Sequence, residues 1–300
     1  MATGSAGGKV ILFGEHFVVH GVPAIAAGIS QTSVVEVERS DKMLFICEKH
    51  KTIPELTYAS INNVLGAMGI NGNFKVTLTG NLLTVGGLGS SAAFCVAMAI
   101  AFAKDAGLTL THEQINKYAY EGEKAFHGNP SGIDNVMATY GGVMKYTRGK
   151  TASENDFKKL RVKTQFYIVV GVTGKSSPTV QMVSKVAEFK IARPDEFASL
   201  SKAATKIVSE AESALSKGGL SDLGALFDQN QLLLERVGVC APENMKIISA
   251  AKTAGALGAK VTGGGGGGCC IALAKDKEHA ERILSAIKKQ GFDGFITIVS

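Results

Sequence analysis

Three stretches of the chain carry residue types suited to chemistry on a phosphate. The first is Thr84-Val85-Gly86-Gly87-Leu88-Gly89-Ser90-Ser91-Ala92-Ala93, which runs into an apolar segment over 94–103. Small residues that let the backbone fold tightly are followed by hydroxyls able to cap a helix, so N–H groups and the positive end of a helix dipole converge on one point. Such a point binds anions, phosphate foremost, although a glycine-rich loop can also precede a helix for packing alone. The second stretch runs Glu121-Gly122-Glu123-Lys124-Ala125-Phe126-His127-Gly128-Asn129-Pro130-Ser131-Gly132-Ile133-Asp134-Asn135. Its acids are dense enough for a nucleotide-bound magnesium ion, which takes one or two carboxylates. Glu121 and Glu123 lie two apart on a helix and cannot both face one ligand. Ser131-x-x-Asp134 also has the form of a capping box, a purely structural alternative for Asp134. The third is Lys9, which opens an apolar strand and either delivers a cation to a buried point or is simply solvated.

A run of six glycines, 263–268, can be neither helix nor regular strand, so its backbone must approach something closely. Gly263, Gly265 and Gly268 formally spell G-x-G-x-x-G, but the Cys-Cys-Ile-Ala-Leu-Ala that follows is a strand, whereas a dinucleotide fingerprint must open a helix. Gly87 to Ala92 does precede a helix, yet no acid-ended strand follows about 20 residues on. Two near-matches to a Walker loop, at Gly149-Lys150-Thr151 and Gly174-Lys175-Ser176, have Met144 and Val169 where the leading glycine belongs. His16 and His20 would share one face of a strand, and a metal site there lacks a third ligand.

The elements that must position these residues are mixed. Strands are expected over 9–14, 34–39, 44–47 and 75–80, then a buried helix over 90–106 stopped by Gly107. Thr111-x-x-Gln114 is a capping box opening a helix to about 126, and a third helix starts near Ser131 and stops at Gly141-Gly142. Polar residues 151–159 form the expected linker between lobes. Beyond it come a strand over 165–172, helices over 178–189, 195–217, 221–237 and 242–255, strands over 259–262 and 269–274, and a final helix and strand. Three hundred residues at 45% hydrophobic content suit two compact lobes. The longest apolar run, 92–103, is well short of the roughly 20 residues needed to span a bilayer, and no signal peptide is evident, so no membrane partner and a cytoplasmic location are expected. Five cysteines without a C-x-x-C pair point to buried free thiols. A net charge of +6 suits an anionic substrate, but scattered Lys and Arg without interleaved aromatics argue against a nucleic-acid partner.

Taken together, the motifs resemble those of the GHMP kinases. Ser5-Ala6-Gly7-Gly8-Lys9-Val10-Ile11-Leu12-Phe13-Gly14-Glu15-His16 is similar to their amino-terminal motif, Gly87-Leu88-Gly89-Ser90-Ser91-Ala92-Ala93 to their phosphate loop, and Lys260-Val261-Thr262 with 263–269 to their carboxy-terminal glycine motif. Within that superfamily, Gly14-Glu15-His16-Phe17-Val18-Val19-His20-Gly21 and His127 to Asn135 look like the mevalonate kinase family in particular. The resemblance implies an α+β, two-lobed fold: a ribosomal-protein-S5-like lobe over 1–155 carrying the phosphate loop and catalytic acid, and a ferredoxin-like lobe over 156–300 carrying the glycine loop. It implies ATP with Mg2+, and transfer of phosphate to the C5 hydroxyl of mevalonate. Asp134 would act on that hydroxyl as base with Lys9 paired to it; Ser91 and Glu123 would hold magnesium. Gly86, Gly87, Leu88, Gly89, Ser90 and Ser91 would wrap the ATP phosphates, and Gly263 and Gly265 would shape the site. Glu15, His16, Thr179 and Arg148, with Lys9 and Asp134, would line the substrate side. A homodimer is implied by the family alone. Phosphomevalonate kinase, mevalonate diphosphate decarboxylase and a silent ligand-sensing relative are the alternatives; the retained Lys9, Glu123 and Asp134 speak against the sensor. Gly7, Val85-Gly86 and Gly264 depart from the family pattern, each toward a less constrained backbone.

Overall fold

Why the acids and hydroxyls can be held firmly is clearest from α2 (Ser90–Asp105), a helix buried on nearly every side, as its small and apolar residues require. It belongs to a computed structural model that describes residues 1–47, 54–84, 86–128, 130–149, 154–175 and 179–300. Residue contacts divide the chain into two compact units that interleave in sequence. The first comprises Met1–Lys9, Gly28–Thr84 and Leu88–Gly141; the second comprises Val10–Ala27, Val85–Gly87 and Gly142–Ser300. The single boundary expected at 155/156 differs from this division because long strands carry the chain from one unit to the other: β1 (Ala2–Phe13) and β2 (Ala24–Ser40) each have residues in both.

In the first unit, β4 (Asn73–Gly80) lies between β2, antiparallel along Ser33–Ser40, and the short parallel β3 (Leu44–Ile46). Alternating burial along β4 gives this sheet one packed face. The helices are α1 (Pro54–Met68), α2, α3 (His112–His127) and α4 (Ile133–Tyr140). The helix α1 is absent from the sequence expectation. Helix α3 starts with the expected capping box, Thr111 accepting from the Gln114 amide while the Gln114 side chain accepts from Thr111. At Gly122 this helix packs so closely on its neighbours that a Cβ would stand 2.7 Å from Val64 Cγ2 and 2.9 Å from Cys95 Sγ. That approach buries the next residue, Glu123.

In the second unit an antiparallel sheet has the order β10 (Asp293–Val299), β7 (Phe166–Val172), β9 (Cys269–Ala274), β8 (Ala259–Thr262). Its helices are α5 (Thr179–Ala192), α6 (Pro194–Lys217), α7 (Leu220–Arg236), α8 (Pro242–Thr253) and α9 (Lys277–Lys289). Val169, Leu234, Ile247, Ile283 and Ile287 meet in one buried core. Ala24–Ala27 of β2 pairs with β5 (Val143–Thr147), which pairs with β6 (Asp156–Lys159). The expected linker 151–159 is therefore corrected over its last residues: Asp-Phe-Lys-Lys is a charged strand, the composition that protects a sheet edge. Residues 151–153 lie outside the described residues, as do Val85 and Asn129; Thr179 opens α5 by its backbone, with its side chain outside the description. Cys95, Cys269 and Cys270 are buried free thiols, while Cys47 and Cys240 are partly exposed. Among the described residues no helix is long and apolar enough to cross a membrane.

Candidate active site

In the first unit, Lys9, Ser91, Glu123 and Asp134 converge. Lys9 is buried and its Nζ lies 3.1 Å from Asp134 Oδ1, whose side chain remains 30% exposed. The β1 backbone fixes this lysine, because its amide donates to the Leu88 carbonyl at 2.9 Å in the glycine-rich loop. Gly89 caps α2 with φ 68°, and a Cβ there would stand 3.2 Å from Lys9 Cγ, so glycine is needed for conformation and for space. No side chain caps α2, which leaves the amides of its first turn to an outside acceptor such as phosphate. Asp134 stands in the first turn of α4, whose N-cap is Gly132 with no side-chain cap bond. Beside the capping-box alternative for Asp134 the structure sets a second fact: the carboxylate faces a buried lysine.

Glu123 is almost wholly buried, and its Oε1 has no hydrogen-bond partner. Burial pushes its carboxyl up to about 8, with the Ser91 hydroxyl opposing, the charge of Asp134 adding and Lys9 opposing. An orphaned buried carboxylate oxygen beside a serine hydroxyl fits a hard divalent cation, which would restore the ionised form. Glu121 instead pairs with Lys124 at the surface, at 2.7 Å. His127, assigned no role from sequence, places Nε2 3.3 Å from Ser91 Oγ and 3.8 Å from Glu123 Oε2. Its spacing of four from Glu123 on α3 was the available signal.

The second unit holds a different cluster. Glu15 and Lys260 form a fully buried ion pair, and Asn230 Nδ2 donates to the other Glu15 oxygen at 3.3 Å. Lys260 Nζ also donates to the Val261 carbonyl at 2.6 Å. Burial draws the Lys260 ammonium below its usual range, with Glu15 opposing. His16 is the one non-glycine residue with a left-handed backbone among those described, φ 62°. It begins a 3-10 turn, Phe17–His20, and not the strand that would align it with His20. Its Nε2 lies 3.1 Å from the Gly264 carbonyl, its Nδ1 has no partner, and burial lowers its pKa to about 4.

The glycine loop is held from outside itself. Asn244 accepts from the Gly267 amide at 3.2 Å and donates to its carbonyl at 3.1 Å, and the Thr173 hydroxyl faces the Gly268 carbonyl at 3.0 Å. A Cβ on Gly263 would meet Gly87 Cα at 2.6 Å, so these two glycines pack backbone on backbone within the second unit. Arg148 is half-buried at the end of β5.

Family models place the GHMP kinases N terminal domain on residues 55–142 and GHMP kinases C terminal on residues 211–293. Mevalonate kinase of Pyrococcus furiosus is 36% identical, with 99% of this chain and 95% of that protein covered. The chain belongs to the mevalonate kinase family. The mevalonate kinase of Aeropyrum pernix is 34% identical over 100% of this chain and 96% of its own. Among solved structures, L. major mevalonate kinase in complex with R-mevalonate is 34% identical, with a TM-score of 0.93 over 100% of this chain and 96% of that one. The Methanococcus jannaschii mevalonate kinase follows at 25% identity and TM-score 0.84, over 99% and 98%.

For a member of the mevalonate kinase family, four residues now matter to which the sequence assigned no role of their own: His127, Asn230, Asn244 and Lys260. Lys260 was the most legible of them. A lysine inside the short apolar strand Ala-Lys-Val-Thr is costly unless a buried acid meets it.

Proposed function

We propose that this chain transfers the γ-phosphoryl group of ATP to the C5 hydroxyl of (R)-mevalonate. The observation that carries the reading is the buried Lys9 amine 3.1 Å from a partly exposed Asp134, next to an uncapped α2 N-terminus and an orphaned Glu123 oxygen. Full-length similarity to mevalonate kinases supports it. The C5 oxygen attacks the γ-phosphorus, the bond to the bridging oxygen breaks, and ADP departs. Asp134 accepts the hydroxyl proton, and Lys9 offers positive charge to the transferring group. The amides that open α2 and the loop 86–91 take the ATP phosphates, and Gly263 and Gly265 shape the nucleotide side. Ser91 and Glu123 would hold Mg2+, which would supply neutralisation of phosphate charge. Glu15, His16, Arg148 and Thr179 belong to the substrate side. A homodimer belongs to the same reading, and light scattering would test it.

The experiment is ADP release with magnesium and ATP against mevalonate, phosphomevalonate, diphosphomevalonate, galactose and homoserine. Release with mevalonate alone is expected. Release with another acceptor, or none despite ATP binding, overturns the assignment.

A further inference from the structure

The Gly14-Glu15-His16 turn at the end of β1 is conformationally expensive. Gly14 has φ 91°, and a Cβ on it would stand 2.5 Å from the Pro23 carbonyl oxygen; His16 holds a left-handed backbone without being glycine. Such a conformation persists only where surrounding contacts over-determine it. Backbone bonds hold part of it, the Phe17 amide donating to the Glu15 carbonyl at 2.7 Å and the Val18 amide to the Gly14 carbonyl at 3.0 Å, and side chains add to them. Asn230 on α7 accepts from the Gly14 amide at 3.4 Å and donates to Glu15, Lys260 on β8 pairs with Glu15, and the His16 ring meets the Gly264 carbonyl. Neither Glu15 nor Lys260 exposes side-chain surface, and the two Glu15 oxygens face Lys260 and Asn230.

We infer that Lys260 and Asn230 are positioning residues that act through Glu15 to hold His16 in its strained conformation, so that Glu15 serves the substrate side without touching substrate itself. This rests on the reading that His16 faces mevalonate. A buried ion pair is poorly explained as a source of stability alone, since a matched apolar pair often does as well; fixing one geometry is its better-attested use. The triad joins the β1 turn, α7 and β8, three pieces far apart in sequence, at the residue where the backbone departs most from its ordinary range. The His16 ring nitrogen that bonds Gly264 must donate to that carbonyl, which leaves the buried Nδ1 as an acceptor. Its direction is useful only while the turn is held.

A double-mutant cycle tests this, with separate Michaelis constants for mevalonate and ATP. Lys260→Met and Glu15→Gln each leave the other partner buried and uncompensated. Each is expected to raise the KM for mevalonate about tenfold while the KM for ATP stays within about twofold, and the double variant is expected to recover to within about threefold of the parent. A double variant as impaired as Glu15→Gln alone would show that Glu15 contacts substrate. Lower melting temperature in Lys260→Met with unchanged Michaelis constants would reduce the triad to structural support. Should that variant fail to fold, Asn230→Ala removes two of the bonds without stranding a charge; the same selective rise in mevalonate KM is expected, and its absence overturns the inference. A parent protein without mevalonate-dependent turnover would refute the functional reading separately. Positioning is then read from the His16 ring resonances of the substrate-free protein, which must shift in Lys260→Met.

Discussion

Among the described residues, two lysine–carboxylate pairs are built on a buried lysine, and they differ in one respect that decides what each can do. Lys9–Asp134, in the first unit, leaves its carboxylate 30% exposed, whereas Lys260–Glu15, in the second, exposes neither side chain. An accessible pair can change partners, admit a hydroxyl and move a proton. A sealed pair cannot exchange anything, and its strength is spent on geometry. On the proposed reading, the same ion-pair chemistry serves transfer in one place and rigidity in the other, with burial separating the two roles.

Asp134→Asn breaks the comparison most sharply. It removes the proton acceptor while keeping shape, and turnover is expected to fall on the order of a thousandfold, with ATP binding and melting temperature little changed. Single-turnover phosphoryl transfer beside nucleotide titration checks this. An equal loss of stability would return Asp134 to a structural role. In the sealed pair the ranking inverts: Lys260→Met is expected to lower stability by about 3–5 kcal/mol, read from denaturant midpoints, because it strands a buried carboxylate.

The two regions also respond oppositely to pH. Glu123, raised to about 8 from an ordinary 4.5, binds its proton more tightly in the folded protein than in the unfolded chain. Its contribution is therefore full below about pH 4.5 and is lost as pH rises through about 8. His16, lowered to about 4 from 6.5, binds its proton less tightly when folded, so its contribution is full above about pH 6.5 and is lost as pH falls through about 4. Each amounts to a few kcal/mol across its window. Hydrogen exchange resolved by region is expected to show α3 loosening toward alkaline pH and the Phe17–His20 turn loosening toward acid, in the absence of nucleotide. Glu123→Gln should flatten only the first trend.

Much of the site was legible because its chemistry is local. The α2 loop, the capping box at Thr111 and the two strands flanking the glycine run are each written in a few adjacent residues, and the structure has them within a residue or two. What escaped was made by contacts distant in sequence. Asn230 and Lys260 acquire meaning only when α7 and β8 meet the end of β1, 215 and 245 residues away along the chain from Glu15. β6 was hidden because an edge strand need not bury a face, so Asp-Phe-Lys-Lys carries little apolar alternation. Asp134 could be read as a cap or a base from spacing alone; what the spacing could not show is the glycine at the α4 N-cap and the lysine facing the carboxylate.

Asn244 offers the finest test, because it asks whether a loop can be rigid when no residue in it is. Six glycines carry the largest conformational entropy a chain segment can have, and four of them, Gly263, Gly265, Gly267 and Gly268, adopt left-handed backbones. Asn244 contributes both halves of its amide to Gly267 and is itself fully buried, so the loop borrows order from α8. Asn244→Ala removes both hydrogen bonds to Gly267, together with those to the Ala241 amide and Cys270 Sγ, and leaves the buried Gly267 amide and carbonyl unpaired, at about 2–3 kcal/mol. If the loop shapes the nucleotide side, the KM for ATP rises a few-fold while that for mevalonate holds, the reverse of the split expected for Lys260→Met. Thr173→Val, which removes the hydroxyl that faces the Gly268 carbonyl and bonds the Lys175 backbone, should give a weaker version of the same pattern. Cleavage within 263–268 under limited proteolysis would report the loosening directly. Resistance equal to the parent would mean that backbone contacts, such as the Ala241 amide donating to the Gly265 carbonyl at 2.9 Å, already suffice to hold the loop.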